Sequence, residues 1–290
     1  MDIKEKQMKK LLLATVIGGL STAAAADYRA ELTANYRSIE STLDNTYSRD
    51  TYDETAYQFA GAFFFDSVST DSVPVDEASF LSKNSSVSAY NQVKHEEYKR
   101  QETYNGFDYG YEGRYHYRQT GIGYRGVFGK GIVNVDLRQG YSNGDSGARM
   151  ISIGGGAYLT DSSALTGRII KFTNSGDNDA GLGINYRHVF NAKGDTSYLL
   201  DADFFAIDDY TLATLEGAVF FTPSSKLFVN YIRAATSDDD FDANIDELGI
   251  GYQHFFMNRI GLTARYANGD YNSLIDEKES YLDFELQINI

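Results

Sequence analysis

The sequence predicts an all-β protein: an antiparallel up-and-down β-barrel of about 14 strands, closed on itself and spanning a membrane. Three observations carry this. Beyond residue 26 the chain is a succession of short runs in which apolar and polar residues alternate, the period of a strand with one face of each kind. The connections between runs alternate in kind, tight on one side and longer and acidic on the other. Finally, 23 Tyr and 18 Phe against only two prolines, Pro74 and Pro223, is a composition suited to strands.

The first 26 residues stand apart. Lys4, Lys6, Lys9 and Lys10 precede the apolar run L-L-L-A-T-V-I-G-G-L, and small residues follow up to an A-x-A site at Ala24–Ala26. A basic region, a short hydrophobic core and a small-residue cleavage site read as a secretory signal. Residues 1–26 are therefore expected to be removed, leaving 27–290 as one barrel domain. The apolar run is too short to cross a bilayer as a helix, and no later segment approaches the required length. A mean hydropathy of -0.39 would by itself suggest a soluble secreted protein. Alternating strands, however, average to a polar composition even when one face meets lipid.

Composition also excludes several classes. With no cysteine the chain is neither a disulfide scaffold nor a thiolate metal site. Net charge is -15 for the full chain and -17 once the signal's four lysines, Asp2 and Glu5 are removed. That argues against nucleic acid, which needs a basic stripe.

In chain order the alternation predicts strands at Tyr28–Glu40, Thr55–Phe65, Ser85–Tyr98, a run ending at Phe128, and Gly131–Tyr141. Ala148–Leu159, Ala164–Phe172, Ala180–Phe190, Thr196–Ile207 and Thr211–Phe221 follow. Lys226–Ala235, Asp246–Phe256, Arg259–Asn268 and Ser280–Ile290 complete the set. The parsing gives fourteen strands; twelve or sixteen are also compatible with it. The last run, Y-L-D-F-E-L-Q-I-N-I, alternates strictly and is expected to close the barrel against the first.

An internal repeat supports this division. G-I-G-Y-R-G-V-F (Gly121–Phe128), G-I-N-Y-R-H-V-F (Gly183–Phe190) and G-I-G-Y-Q-H-F-F (Gly249–Phe256) begin 62 and 66 residues apart. Each interval holds four predicted strands, so the copies run in one direction. Each copy puts Ile, Tyr and Phe on one face and Gly, Asn, Gln or Arg on the other.

The short connections, such as G-K after Phe128 and M-N after Phe256, are expected to be periplasmic turns. Long acidic ones, such as T-N-S-G-D-N-D and T-S-D-D-D-F-D-A-N, are expected to be extracellular loops. Asp66–Leu81 is long yet falls on the short-turn side. Its Pro74, followed by V-D-E-A-S-F-L, is placed to open a helical turn. The segment either plugs or braces the barrel floor, or forms a surface loop.

Polar-face residues decide what the strands enclose. Arg125, Asp136, Arg138, Arg168, Arg187, Asp201, Asp203, Glu216, Glu247, Arg265, Asp283 and Glu285 are the candidate pore-lining residues. Their mixed signs allow charge pairing across a wet lumen. Outside, Phe65, Phe128, Tyr158, Phe190, Phe221 and Phe256 at the short-turn ends are read as one aromatic belt. Tyr36, Tyr141, Phe172 and Tyr266 form the other. Val93–Gln119, dense in charge and tyrosine, reads as a long hairpin above the membrane, extending strands three and four. The alternation of Tyr109, Tyr111, Tyr115 and Tyr117 is out of frame with Ile122 and Tyr124, which predicts a bulge near Thr120.

G-A-F-F-F-D-S-V-S-T-D-S-V-P-V-D-E-A-S-F-L-S-K-N-S-S-V-S-A, from Gly61 to Ala89, resembles a family of gamma-proteobacterial outer-membrane porins. In such proteins an aromatic strand end is followed by V-x-T and P-x-x-E-A-x-F-L, here Val68, Thr70, Pro74, Glu77, Ala78, Phe80 and Leu81. The resemblance covers about a tenth of the chain and implies a passive diffusion channel in the outer membrane, naming no solute. Many such barrels end in phenylalanine, whereas this chain ends in Ile290.

Two functions are compatible with these readings. One is a water-filled channel for small hydrophilic solutes or ions, its acidic mouth enriching cations. The other is a structural or adhesive barrel with a blocked lumen whose loops bind a partner. Outer-membrane lipid, lipopolysaccharide and the barrel assembly machinery are the expected partners, with a homo-oligomer left open. No cofactor, metal site or catalytic residue is expected. His188 and His254 occupy equivalent repeat positions on the lipid-facing frame. His95 and His116 sit near Glu96, Glu97 and Glu112 without a nucleophile motif. The carboxylate-rich stretches Gly176–Asp179 and Asp238–Asp242 lack the spacing of a calcium loop.

Overall fold

A computed structural model describes residues 27–290 apart from 45–47, 72, 105–106, 144, 175–176, 194–195, 239–240 and 273–275. The signal reading, the Asp238–Asp242 stretch at 239–240 and the Gly176–Asp179 stretch at 176 lie outside the described residues.

Fourteen strands form one closed barrel in which each pairs antiparallel with its sequence neighbours. They are β1 (Asp27–Asp44), β2 (Ser48–Ser69), β3 (Ser86–Tyr104), β4 (Phe107–Phe128), β5 (Gly131–Ser142), β6 (Asp145–Thr160) and β7 (Ser163–Asn174). The second half holds β8 (Asp177–Phe190), β9 (Ser197–Ile207), β10 (Tyr210–Thr222), β11 (Ser225–Asp238), β12 (Phe241–Phe256), β13 (Ile260–Asn272) and β14 (Asp276–Asn289). Every strand read from alternation is present. The terminal strand closes the ring, with Glu31 opposite Asn289 and Ser38 opposite Leu282. Ile290 adds three backbone bonds, donating to Ala30 O at 2.7 Å and accepting from Arg29 N at 2.7 Å and Ala30 N at 2.8 Å. Closure leaves no sheet edge within the ring, so backbone groups there are satisfied without water.

The outer face is apolar. Leu182 is 67% exposed and Ile169 63%, among a band that includes Ile122, Ile153, Ile184, Leu248, Leu282 and Phe284. So continuous an apolar surface fits lipid and would be an aggregation liability in water. Phe65, Phe128, Phe190, Phe221 and Phe256 stand exposed at the short-turn ends. Tyr158 does not join them. It points inward and is only 2% exposed, because its frame on β6 is that of Met150 and Ser152.

At the opposite end, the longer acidic connections are built as hairpins whose strands keep pairing almost to the turn. Thr173 still faces Asn178, and Asp270 still faces Lys278. β1 to β4 rise furthest. β3 and β4 pair without interruption from Ser86–Arg125 to Tyr104–Phe107, so the bulge expected near Thr120 is absent. The tyrosines need no frame shift. Tyr109, Tyr111, Tyr115 and Tyr117 share the inner frame of Gly123 and Arg125, and only the lipid level forces aromatics outward.

Candidate functional site

The lumen is the concave, charge-bearing part of the molecule, and a segment of the chain occupies its floor. After β2 the connection turns inward. Pro74 precedes a 3₁₀ turn at Val75–Glu77, which runs into the single helical turn α1 (Ala78–Leu81). Proline's fixed φ and missing N–H suit that starting position. Val75, Glu77 and Ala78 are fully buried, and Val75 N donates to Pro223 O at 2.8 Å. Asp66–Leu81 thus ends in a plug, not a surface loop.

Apolar and ionic contacts both hold the plug. Phe80 sits in a cluster of inward-facing residues near the short turns: Ile132, Tyr158, Ala164, Val189, Leu199, Phe220 and Phe228. Its ring centroid is 5.4 Å from that of Tyr158, whose hydroxyl donates to Phe80 O at 2.8 Å. Glu77 accepts two hydrogen bonds from Arg187, at 2.9 Å from Nε and 2.6 Å from Nη2. Asp76 accepts from Lys226 Nζ at 2.6 Å, and Lys226 also reaches Glu216 at 3.2 Å. A planar guanidinium fork on a carboxylate is the strong form of such a bond.

The internal repeat explains how these contacts converge. The fifth residue of its three copies is Arg125, Arg187 and Gln253. All three meet the plug: Arg125 lies 5.9 Å over the Phe80 ring, Arg187 grips Glu77, and Gln253 lies beside Asp76. The first glycine of each copy makes room for a neighbour's side chain. A Cβ on Gly183 would lie 2.7 Å from Arg168 Nε, one on Gly249 2.6 Å from Arg265 Nε, and one on Gly121 2.7 Å from Tyr90 Cζ. Without a side chain at those positions, long side chains lie flat across the wall.

All twelve candidate residues are on the inner face. Arg168 binds Asp203 through two bonds, at 2.8 and 2.6 Å. Arg187 adds Asp201 at 3.1 Å, and Asp201 also accepts from Asn185 at 2.8 Å. Arg265 pairs with Glu247 and with Asp283 at 2.6 Å, and Arg37 reaches Asp283 at 3.2 Å. Arg138 pairs with Asp136 on its own strand. Glu216 and Glu285 border a cavity of 470 Å³ together with Arg37, Asp76, Lys226 and Arg265. A second cavity of 570 Å³ is bordered by Arg125, Arg138, Arg168, Asp136 and Asp203.

Sequence reasoning did not single out Lys226, Arg37, Tyr158 or the plug's own Asp76, Glu77 and Phe80 as partners. One signal was available: inward positions turn apolar toward the short turns, at Ile132, Val189, Leu199 and Phe220, which a purely wet lumen would not favour. His95 and His116 face each other across β3 and β4, Nδ1 to Nδ1 at 2.5 Å. The neighbouring carboxylates are engaged elsewhere, Glu96 with Lys94, Glu97 with Lys99, and Glu112 with Arg114. His188 lies on the outer frame, stacked at 3.8 Å on Phe190. Among the described residues no group of three or more potential metal ligands comes together.

Among solved structures the chain is similar to the outer-membrane protein Omp33 of Acinetobacter baumannii. Identity is 13% and the TM-score 0.61, over 92% of this chain and 100% of that one. It is also similar to the translocator domain of the autotransporter NalP from Neisseria meningitidis, at 11% identity and a TM-score of 0.47, over 99% of this chain and 96% of that one. At such identities the likeness is one of fold, and only the first carries it: the chain has the fold of an outer-membrane β-barrel. No family model matches the chain, and no curated sequence matches it.

Proposed function

We propose that the protein is an outer-membrane channel through which small hydrophilic solutes or ions diffuse passively, narrowed at one end by its own plug. One observation supports this above the others: a closed 14-strand barrel is apolar outside and lined inside by charged groups of both signs bordering open cavities. Barrels of eight to ten strands fill their interior with side chains, whereas larger ones leave a lumen. Charged groups are stable in such a lumen because water and neighbouring opposite charges replace bulk hydration. The acidic balance around the first cavity and the chain's charge of -15 favour cations over anions.

The plug favours a second reading, in which the lumen is closed and the tall β1–β4 hairpins bind a partner outside. Planar-bilayer recording separates the two. Purified protein should give discrete conductance steps and a reversal potential of cation-selective sign in asymmetric salt. A protein that migrates as a folded, heat-modifiable barrel yet gives no steps would establish the closed reading instead. Recovery in the soluble periplasmic fraction without heat-modifiable mobility would sink both.

A further inference from the structure

We propose that Arg125 is a binding station for the carboxylate of a permeating solute, on the lumen floor beside the plug; the proposal rests on the channel reading. Its basis is a charge left over. Seven inward-facing arginines stand on the described strands, and six are within ion-pair distance of a carboxylate. Arg37 and Arg265 share Asp283, Arg100 has Asp50, Arg138 has Asp136, Arg168 has Asp203, and Arg187 has Glu77 and Asp201. Arg125 has none. Its Nη2 donates to the Tyr158 hydroxyl at 2.7 Å, a neutral acceptor already donating to Phe80 O. Its Nε is buried without any partner.

The surroundings make this a site and not only a defect. The guanidinium borders the 570 Å³ cavity. The register places Ser86 directly opposite Arg125 on β3 and Asn134 directly opposite it on β5, both lining the same cavity. A cation is thus flanked by a hydroxyl and an amide, each able to donate to an oxyanion. The Phe80 and Tyr158 ring centres lie 5.9 and 6.0 Å from Cζ, a cation–π arrangement that fixes the guanidinium without neutralising it. The Arg187 guanidinium lies 5.4 Å from the centre of the same Phe80 ring, so two cations meet one ring and only one of them is ion-paired. Guanidinium geometry matches a planar carboxylate through two parallel bonds, and desolvation beside the plug strengthens that match. An anion here would restore the balance that each of the other six arginines has from the protein itself.

The acidic mouth and this station are compatible. The mouth sets which ions are enriched over long range, whereas the station acts at contact distance on a carboxyl group already in the lumen. Solutes carrying a carboxylate would pause at Arg125 before the plug.

Acetate is the probe. The line width of its methyl resonance should broaden saturably with detergent-solubilised protein. The Arg125→Gln variant should weaken that binding by about tenfold or more, since a charge-assisted bond is worth about 1.5–3 kcal/mol. Arg233→Gln, on the outer rim, should not change it. Heat-modifiable mobility checks that each variant folds. If Arg125→Gln does not, Arg125→Lys keeps a point charge without the fork and should lose preference for acetate over chloride. Equal broadening by Arg125→Gln, no saturable component in the parent, or unchanged preference in Arg125→Lys would overturn the proposal. Acetate binding that depends on Arg125 in a barrel passing no current would uphold the station and refute the channel. Ordinary conductance with no Arg125-dependent acetate binding would do the reverse.

Discussion

Two walls of one lumen differ in charge. The wall centred on β4 to β7 sets Arg125, Arg138 and Arg168 against Asp136 and Asp203. The facing wall sets Arg37, Lys226 and Arg265 against Asp201, Glu216, Asp283 and Glu285, with the plug's Asp76 added to its carboxylates. One side therefore carries a surplus guanidinium and the other a surplus of carboxylates. The contrast teaches that a neutralised lumen need not be a uniform one. Opposite charges are bonded locally on each wall, and what each leaves over sets up a field across the passage. The plug spans the two, touching the basic wall through Phe80 and the acidic wall through Asp76.

The comparison can be broken most forcefully at the plug. Arg187→Ala leaves Glu77 buried with no counter-charge, a loss expected to cost about 3–5 kcal/mol. The plug should leave the floor, seen as a lower temperature for the gel-mobility shift and a larger single-channel conductance. Unchanged conductance would mean that Arg187 does not latch it.

Next comes Asp76. Burial pushes both plug carboxyls up, but at Asp76 the charge and hydrogen bond of Lys226, with Arg187 and Gln253, together outweigh burial and hold it below the usual carboxylate range. Glu77, buried as deeply and beside Asp76, stays above that range despite Arg187. Glu77 therefore takes up its proton first as pH falls. Its folded value lies above the unfolded one, so this protonation favours the seated plug. The Asp76 contribution has the opposite sign: complete above the unfolded carboxylate range, it is lost only as pH falls through the lowered folded value. Protease protection of the plug should persist through mild acid and fail in strong acid. Asp76→Asn should remove that transition, and a transition that survives the substitution would show that another group governs it.

A smaller effect sharpens the contrast between the walls. Glu216→Gln and Glu285→Gln each remove one carboxylate from the acidic side. A unit charge about 10 Å from the ion path is worth about 0.4 kcal/mol in water, attracting a cation and repelling an anion, so each change should lower the cation-to-anion permeability ratio about fourfold. Reversal potentials in a salt gradient read this directly. Smallest of all is Arg233→Gln at the rim, where a 57% exposed side chain meets Asp246 at 3.9 Å. Stability should shift by about 0–1 kcal/mol and permeability not at all.

Much of this architecture is legible in the sequence because lipid enforces it. Ile184, Tyr186 and Phe190 must share a face, and that parity fixes the inner position of Arg187 without further information. Legibility ends where lipid does. Tyr109 to Tyr117 occupy the inner frame above the membrane level, where water meets both faces and no rule excludes an aromatic. Tyr158 carries the composition of a belt residue but the parity of a lumen residue, and parity wins. The plug's partners were the least readable. Glu77 and Arg187 are separated by 110 residues and Asp76 and Lys226 by 150. Only the fifth position of the repeat hinted that Arg125, Arg187 and Gln253 do one job.

That separation has a consequence for how the molecule is made. The plug is synthesised with the third strand, yet its ionic partners arrive on β8 and β11. Without β8 and β11 in place, Glu77 and Asp76 lack the partners they seat against. Seating of the plug therefore requires β8 and β11 to stand in register. A one-residue slip in β8 would turn Arg187 toward lipid and leave the plug without its grip. The same segment, Pro74–Leu81, that narrows the finished passage thus ties its own seating to the register of distant strands.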